Sequence, residues 1–266
     1  MAAAQSTEEI AQSFLTARRT ASGLQTYPGA IPSTLEDAYA IQEAAMTTLG
    51  QQVAGWKVGR IFPPLSEEYG ANRLSGPIFA DAVTSADAES AGYIFSDGFG
   101  AAEAEFLLRI GTAPVAGKTS FTLDDAASHI DAVHIGLEIA SSPFAGINDH
   151  GPAVTVSDFG NNNGLIIGPA VPDWRDSDFV DTDVSVSIDG VVAGVGRASN
   201  FPDGVIGSAR FLLENLAGRG IVLPVGSWIS SGAISGVHEV KVGQRIDADF
   251  GPLGSMTCTI RAQQPK

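Results

Sequence analysis

The chain has 266 residues, a formal net charge of −15 and a hydrophobic content of 44%. This length allows one large domain, or a main domain with a small appendage, and it can bury a sizeable core. The negative charge argues against nucleic acid and anionic membranes as partners, because both are bound through basic patches. The single cysteine, Cys258, excludes an internal disulfide framework and a cysteine-based zinc site.

Two amphipathic helices are predicted near the start of the chain. Apolar residues at helical spacing in TEEIAQSFLTARRT predict a helix over 7–20 with Thr7 as its N-cap. The stretch TLEDAYAIQEAAMTTLG predicts a second helix over 34–49, with Ser33 or Thr34 as its N-cap and Gly50 at its end. These elements define a predicted helical N-terminal region.

No targeting or membrane-spanning segment is predicted. The start, MAAAQSTEEIAQSF, lacks both a basic stretch and a long apolar stretch, so it does not have the pattern of a secretory signal. No apolar run approaches the length of a membrane span. We therefore expect a cytoplasmic location.

Beyond residue 50 the pattern changes to short runs of Val, Ile and Phe separated by Gly, Asp and Pro, which is typical of strands and turns. VSVSIDGVVAGVG predicts a hairpin that turns at Asp189-Gly190. VIGSARFLLENLAGRG predicts a helix over about 204–218, and the tail predicts several short strands. The predicted fold class is α+β, with a helical region at 1–50 and a larger mixed-β domain at 51–266.

Three carboxylates are the most informative residues for function: Glu103 and Glu105 in AAEAEFLLRI, and Glu138 in HIGLEIA. Residues two apart on a strand point to the same face, so Glu103 and Glu105 would project side by side. Glu138 lies in an apolar run, where a lone buried charge is costly without a partner. A hard divalent cation shared by all three would explain the pattern. The residues alone leave open the alternative that Glu103 and Glu105 line a solvated strand face.

Six segments, taken together and in order, resemble a known family. They are GWKVG (55–59), EAEFLLRI (103–110), GLEIA (136–140), SDFGNNNGLIIG (157–168), WISSG (228–232) and VKVGQRIDADFGPLGS (240–255). The chain thereby resembles the 2-keto-4-pentenoate hydratase group of the fumarylacetoacetate hydrolase superfamily, which also contains 4-oxalocrotonate decarboxylases. The resemblance implies a mixed β-roll of the fumarylacetoacetate hydrolase C-terminal type, preceded by a small helical region.

The resemblance also implies a site. Glu103, Glu105 and Glu138 would hold Mg²⁺ or Mn²⁺, and the cation would chelate the carboxylate and 2-oxo group of a 2-keto acid. Lys57 of GWKVG would donate to an enolate oxygen or relay a proton. Asp158 would lie near the pocket and orient Lys57 or a water. The alternative for Lys57 is a surface lysine extended over its neighbouring tryptophan.

Further candidate residues come from one more matching segment, WISSG, and from positions at which the chain departs from the family. Ser231 of WISSG would offer its hydroxyl or backbone N–H to the substrate carboxylate. Leu74 and Ser75 stand where the familiar hydratases carry an acidic residue. Arg60 or Arg73 could pair with the distal carboxylate of a dicarboxylic substrate, although a surface role for each is the simpler interpretation.

The resulting prediction is a metal-dependent hydratase that adds water to a 2-hydroxy-2,4-dienoate and yields a 4-hydroxy-2-keto acid, as in aromatic catabolism. The alternatives are decarboxylation of a 4-oxalocrotonate-like acid, carbon–carbon hydrolysis of an acylpyruvate, and a catalytically idle module that binds a metal and a keto acid. None of the four histidines falls at the position of the hydrolytic base, although His150 next to Asp149 could be functional. We expect a small-molecule 2-keto acid as partner and a homo-oligomer as the assembly.

Overall fold

The structure is a computed structural model that describes residues 6–87 and 90–266. Within these residues, six segments are α-helical: α1 (Thr7–Thr20), α2 (Leu35–Leu49), α3 (Leu65–Glu68), α4 (Leu123–Ser128), α5 (Pro152–Ser157) and α6 (Gly204–Gly218). The strands in the same residues are β1 (Val53–Arg60), β2 (Arg73–Phe79), β3 (Val83–Ser85), β4 (Ala91–Ile94), β5 (Phe99–Ile110), β6 (Ile130–Ser142), β7 (Asn162–Ala170), β8 (Val184–Ile188), β9 (Val191–Gly196), β10 (Trp228–Ser230), β11 (His238–Glu239), β12 (Arg245–Asp249) and β13 (Ser255–Ala262). The predicted α+β class is confirmed.

The predicted helices are confirmed, with one correction at the first N-cap. Thr34 caps α2, and Gly50 ends it in the left-handed conformation. The cap of α1 is Ser6, so the prediction of Thr7 is wrong by one residue. The Ser6 hydroxyl accepts from the Glu9 N–H, while the Glu9 carboxylate accepts from the Ser6 N–H, which completes a capping box.

The larger sheet has the order β2-β1-β10-β5-β6-β7-β3, and β11 pairs with β5 at its other end. Its centre is the long antiparallel pair β5–β6. Strand β1 reaches this centre through β10, which is parallel to β1 and antiparallel to β5. The motifs GWKVG on β1 and EAEFLLRI on β5 therefore have only strand β10 between them, although about 50 residues separate them in the chain.

The smaller sheet has the order β4-β13-β12-β8-β9. Its edge is the predicted β8–β9 hairpin, which is confirmed, and Asp189 and Gly190 both adopt positive φ angles at the turn. The tail forms β10 to β13, as the strand pattern predicted. The mixed parallel and antiparallel pairing agrees with the expected β-roll.

Alternation along β5 separates two environments. Phe106 and Leu108 enter the main hydrophobic core, whereas Glu103 and Glu105 point to the opposite face. The helices α1 and α2 pack together, and Phe14 of α1 and Ile41 of α2 belong to a separate cluster of apolar residues. None of the described helices is long and apolar enough to cross a membrane.

Candidate active site

The three predicted metal ligands come together in the larger sheet. Glu103 of β5 is the direct cross-strand partner of Glu138 of β6, and Glu105 lies two residues along the same face of β5. One carboxylate oxygen from each residue lies within 4.8 Å of the others. This arrangement follows from the two-residue period of β5 together with the β5–β6 register, and it can hold one cation between the three side chains.

All three carboxylates are buried, and two of their oxygens lack a partner. Glu105 and Glu138 are fully buried, and Glu103 is 5% exposed. Glu105 Oε1 and Glu138 Oε2 have no hydrogen-bond partner. A buried carboxylate oxygen without a partner is costly, so these two oxygens are positioned for a ligand. The donor set consists only of carboxylates, which suits a hard cation.

Burial also affects the protonation of the cluster. It raises the pKa of Glu103 to about 7, an effect that Lys57 partly opposes and Glu138 reinforces. Burial raises the pKa of Glu105 well above its usual range, and the two neighbouring glutamates raise it further. Protons therefore compete with a cation for these oxygens.

Lys57 of β1 points into the same cluster. Its Nζ lies 3.4 Å from Glu138 Oε1, and the residue is 6% exposed. Burial alone would lower the pKa of Lys57, but the three carboxylates outweigh burial and raise the pKa above its usual value. Lys57 is thus a buried ammonium group beside the carboxylates, which is not the arrangement of a surface lysine.

Donors on two other elements fix the carboxylates. Ser230 Oγ and the Gly232 N–H both donate to Glu105 Oε2, at 2.6 and 2.8 Å. Asn162 Nδ2 donates to Glu138 Oε1 at 2.9 Å. These contacts leave the other oxygen of each glutamate free to face the cluster. Sequence reasoning missed these supporting residues, although WISSG and SDFGNNNG contain them.

Asp158 is held by an ion pair with the first helix. Arg18 Nε and Nη2 donate to the two carboxylate oxygens of Asp158, at 2.6 and 2.9 Å. The side chain of Asp158 is fully buried, and that of Arg18 is 14% exposed. The predicted role of Asp158, to orient Lys57 or a water, remains a prediction. No local pattern marks Arg18, because 140 residues separate it from Asp158.

The segment that follows Asp158 has an unusual backbone. Phe159, Gly160 and Asn161 all adopt positive φ angles, of 59°, 63° and 67°. Such angles are strained for a phenylalanine and persist only where the surroundings enforce them. A Cβ atom added to Gly160 would lie 3.0 Å from Lys57 Cδ, so this turn packs directly against the lysine.

Ser231 and Asn161 carry further unpartnered atoms. Ser231 Oγ and Asn161 Oδ1 are buried without a hydrogen bond. The backbone of Ser231 is engaged, because its N–H donates to Phe106 and its carbonyl accepts from Ser208. The predicted role of the Ser231 hydroxyl toward a substrate remains a prediction.

Arg60 is not brought beside the carboxylates. It lies three residues from Lys57 on β1, on the opposite face of the strand, and its guanidinium stacks over Phe62 and Phe201. Arg73 lies opposite Arg60 in the antiparallel register of β1 and β2, and its guanidinium donates to the Pro202 carbonyl. A role for Arg60 in substrate binding remains a prediction.

The residue opposite Lys57 on β2 is Gly76. A Cβ atom there would lie 2.0 Å from the Phe159 carbonyl oxygen, so only glycine fits. The preceding Ser75 lies on the other face and donates to Asn215 Oδ1. Strand β2 therefore places no acidic side chain opposite the lysine.

The four histidines have partners elsewhere. His134 contacts the Gly168 carbonyl and packs edge-on against Trp228. His129 contacts the Thr112 carbonyl, and His238 contacts Ser235. The remaining histidine, His150, stacks on Phe144. The described metal-ligand cluster contains glutamates alone.

Neither models of known protein families nor characterised proteins match this sequence. Solved structures do match it. The chain is similar to 4-oxalocrotonate decarboxylase from Pseudomonas putida G7, solved with calcium and acetate, with 20% identity, a TM-score of 0.80 and 96% of each chain covered. The chain has the fold of this enzyme.

Two further structures extend the comparison. The same decarboxylase with magnesium and adipate matches with 20% identity, a TM-score of 0.79 and coverage of 96% of this chain and 97% of the other. Fumarylpyruvate hydrolase from Pseudomonas aeruginosa, solved with Mn²⁺ and pyruvate, matches with 19% identity, a TM-score of 0.55 and coverage of 78% and 88%. The fold implied by the sequence motifs is confirmed, and the decarboxylase match extends over nearly the whole chain.

Proposed function

We propose that this protein is a metal-dependent enzyme that breaks or forms a bond in a 2-keto acid through an enolate. The observation that carries the proposal is the pair of buried, unpartnered oxygens, Glu105 Oε1 and Glu138 Oε2, in a cluster of three glutamates. A purely structural cluster would gain by filling those positions with donors or by replacing the charges with apolar groups.

The charge of the cluster supports a divalent cation. With all groups ionised, three carboxylates and the Lys57 ammonium sum to −3 + 1 = −2. One dication would neutralise this charge. The all-oxygen donor set favours Mg²⁺ or Mn²⁺ over zinc, which prefers nitrogen and sulfur. The similar solved structures contain calcium, magnesium or Mn²⁺.

Glu103, Glu105 and Glu138 would hold the cation. When bound, it would supply the positive charge that draws electron density toward the carboxylate and 2-oxo oxygens of a keto acid. Lys57 would place its ammonium group beside the 2-oxo oxygen and donate a hydrogen bond as negative charge grows there. A donor aimed at developing charge in a buried site is among the largest contributions a protein makes to catalysis.

Decarboxylation of an unsaturated 2-keto dicarboxylate is the reaction that the site supports best. The bond to the distal carboxylate would break, and its electron pair would move through the conjugated chain to the 2-oxo oxygen as CO₂ leaves. This step needs an electron sink and a donor at the oxygen, but no base to activate water. Gly76 opposite Lys57 leaves β2 without such a base, which agrees with this choice.

Hydration of a 2-hydroxy-2,4-dienoate is the second candidate. The order of the sequence motifs favours it, and it would use the same cation, the same chelated keto acid and the same lysine. It additionally requires that water be delivered to C4. Ser231 Oγ, which is buried without a partner, would be the group to bind that water.

The deciding experiment offers the purified protein, with Mg²⁺, three substrates in H₂¹⁸O: 4-oxalocrotonate, 2-hydroxypenta-2,4-dienoate and an acylpyruvate. A decarboxylase releases CO₂ from the first substrate. A hydratase converts the second into an intact five-carbon product with label in its C4 hydroxyl. A hydrolase gives two fragments from the third.

We expect release of CO₂ from 4-oxalocrotonate as the dominant reaction. Removal of the metal by EDTA should abolish this activity. If only the dienoate is turned over, the protein is a hydratase and the assignment as a decarboxylase is wrong. Absence of turnover with all three substrates, together with binding of oxalate to the metal-loaded protein, would identify an idle binding module and overturn the enzymatic proposal.

A further inference from the structure

The first helix, α1, reaches the surroundings of the carboxylate cluster through one side chain, Arg18. This residue lies in the last turn of α1, yet its side chain is only 14% exposed. The guanidinium covers the buried rings of Phe95 and Phe159, 5.5 and 5.1 Å from their centroids. Because a planar guanidinium that stacks on rings has little freedom to turn, this packing fixes the directions of its donors.

The donors of Arg18 join the two strands on either side of Glu138. Nη2 donates to the Ser141 carbonyl of β6 at 3.2 Å and to the Asn162 carbonyl of β7 at 3.3 Å, in addition to its bond with Asp158. Ser141 lies three residues beyond Glu138 on β6, and the Asn162 side chain donates to Glu138 Oε1. One guanidinium therefore contacts the backbone of both strands beside a predicted metal ligand.

The pairing of β6 with β7 is irregular at this point. Ile139 of β6 pairs with Gly164 of β7. The next residue of β6, Ala140, pairs with Asn162, so Asn163 is one extra residue in β7. A β-bulge of this kind interrupts the ladder and changes the direction of neighbouring side chains. The ladder alone therefore holds Asn162 less firmly than a regular strand would, and the guanidinium supplies an additional hydrogen bond there.

We propose that Arg18 is a positioning residue of the active site, which holds the bulge that directs the Asn162 amide at Glu138. Glu138 Oε1 accepts from this amide and lies 3.4 Å from Lys57 Nζ, so Oε2 is the oxygen left without a partner. Without Arg18, Asn162 would move and Glu138 would be free to turn, and the site would lose a pre-oriented ligand.

This inference makes α1 a part of the active site, although α1 contributes no metal ligand. It rests on the proposed function only where the cation is concerned. The alternative is that Arg18 stabilises the packing of α1 and nothing more, in which case any destabilising change in α1 should affect the site in the same way.

A Mn²⁺ titration of the full-length protein, at a temperature at which every variant is folded, tests the effect on the site. Arg18→Met should weaken Mn²⁺ binding about 10-fold, as for loss of a residue that orients a ligand. Arg19→Met, at the exposed neighbouring arginine of α1, is the matched control and should leave Mn²⁺ affinity unchanged. Phe14→Leu, which removes buried volume from α1 and keeps Arg18, should leave it unchanged as well. Equal losses in Phe14→Leu and Arg18→Met would overturn the proposal.

A second substitution covers the case in which Arg18→Met does not fold. Arg18→Lys keeps a cation beside the buried Asp158 carboxylate. Its ammonium group cannot reproduce the planar fork that reaches Asp158 and Asn162 together, so a weaker Mn²⁺ affinity is expected here too. Unchanged Mn²⁺ affinity in the folded Arg18 variants would overturn the proposal.

A double-mutant cycle tests the route through Asn162. If Arg18 acts through this residue, adding Arg18→Met to Asn162→Ala should weaken Mn²⁺ binding by less than about 2-fold beyond Asn162→Ala alone. Fully additive losses would show that the two residues act independently, which would overturn the positioning role.

A measurement without metal separates failure of this proposal from failure of the proposed function. In proton–nitrogen correlation spectra of the metal-free protein, the side-chain amide signals of Asn162 are identified by their absence in Asn162→Ala. These signals should shift in Arg18→Met and stay in place in Arg19→Met and Phe14→Leu. Unshifted signals in Arg18→Met would overturn the positioning role. Shifted signals, together with absence of Mn²⁺ binding in the unsubstituted protein, would support the positioning of Asn162 and count against the proposed function.

Discussion

Glu103 and Glu138 face each other as direct cross-strand partners in the β5–β6 pair, and both are buried. Like charges in this relationship are destabilising even on an exposed sheet, and burial adds the cost of desolvation. Lys57 offsets only part of the repulsion, because one ammonium group, whose Nζ lies 3.4 Å from Glu138 Oε1, faces a cluster of three carboxylates. Cation binding and folding stability are therefore expected to be linked at this pair.

The first prediction concerns pH. In the folded protein, burial raises the pKa of Glu103 to about 7 from the usual 4.5. The folded state keeps a proton that the unfolded chain releases, so the metal-free protein loses stability as the pH rises from 4.5 through 7. A bound cation replaces that proton. Stabilisation by Mn²⁺ should thus be larger at about pH 8 than at about pH 5.5.

Thermal unfolding with and without MnCl₂ at the two pH values measures this effect. The metal-free protein should have a lower Tm at the higher pH, and the Mn²⁺-induced rise in Tm should be larger there. An equal rise at both pH values would show that protons and the cation do not compete.

The second prediction concerns Lys57. Lys57→Met keeps a long apolar side chain in the strand but removes the ammonium group. We expect kcat to fall by about 100-fold or more, as for loss of one donor to developing negative charge. Mn²⁺ affinity should remain within a few-fold, because the ammonium is not a ligand. Lys118→Met, at a partly exposed lysine paired with Asp125 far along the chain from the cluster, is the control. An unchanged kcat in Lys57→Met would remove Lys57 from the chemistry.

The third prediction concerns Asn162, whose amide donates to Glu138 Oε1. Asn162→Ala should weaken Mn²⁺ binding by about 10- to 100-fold, the usual effect of removing a residue that orients a ligand. The neighbouring Asn163 donates to the Tyr93 carbonyl instead, so Asn163→Ala provides a matched control. Similar Mn²⁺ affinities in the two variants would contradict the orienting role.

The fourth prediction concerns the ion pair between Arg18 and Asp158. Arg18→Met leaves a fully buried carboxylate without its partner, which should lower the free energy of unfolding by about 3 kcal/mol. The double variant Arg18→Met/Asp158→Asn should recover part of this loss, because it removes the stranded charge. Urea unfolding measures both, and a double variant no more stable than Arg18→Met would argue against a buried, coupled pair.

The sequence predicted those parts of the fold and site that depend on local periodicity. Glu103 and Glu105 share a face because strands alternate, and the ends of α2 follow from Thr34 and Gly50. The N-cap of α1 was missed by one residue, because Ser6 and Thr7 are both good caps and only Ser6 has Glu9 three residues later.

The remaining features depend on contacts between distant segments. Pairing of Glu103 with Glu138 requires the β5–β6 register, which a slip of one residue would have destroyed. Arg18 reaches Asp158 only because α1 packs over the segment that begins there. That Arg60 points away from the cluster was predictable, because it lies three residues from Lys57 on the same strand and side chains at odd spacing point to opposite faces. The two unpartnered oxygens that carry the functional proposal can be found only in three dimensions.

The central claim is that the three glutamates hold one divalent cation. The most direct measurement is a Mn²⁺ titration of the full-length protein, with free Mn²⁺ followed by electron paramagnetic resonance, for the unsubstituted protein, Glu105→Gln and the exposed control Glu68→Gln. We expect one bound Mn²⁺ per chain in the unsubstituted protein and in Glu68→Gln. We expect Glu105→Gln to bind Mn²⁺ about 100-fold or more weakly. Its metal-free form should be at least as stable as the metal-free unsubstituted protein, because a buried ionisable group is gone. Absence of a Mn²⁺ site in the unsubstituted protein, or equal Mn²⁺ affinity in Glu105→Gln, would show that the three glutamates do not hold a divalent cation.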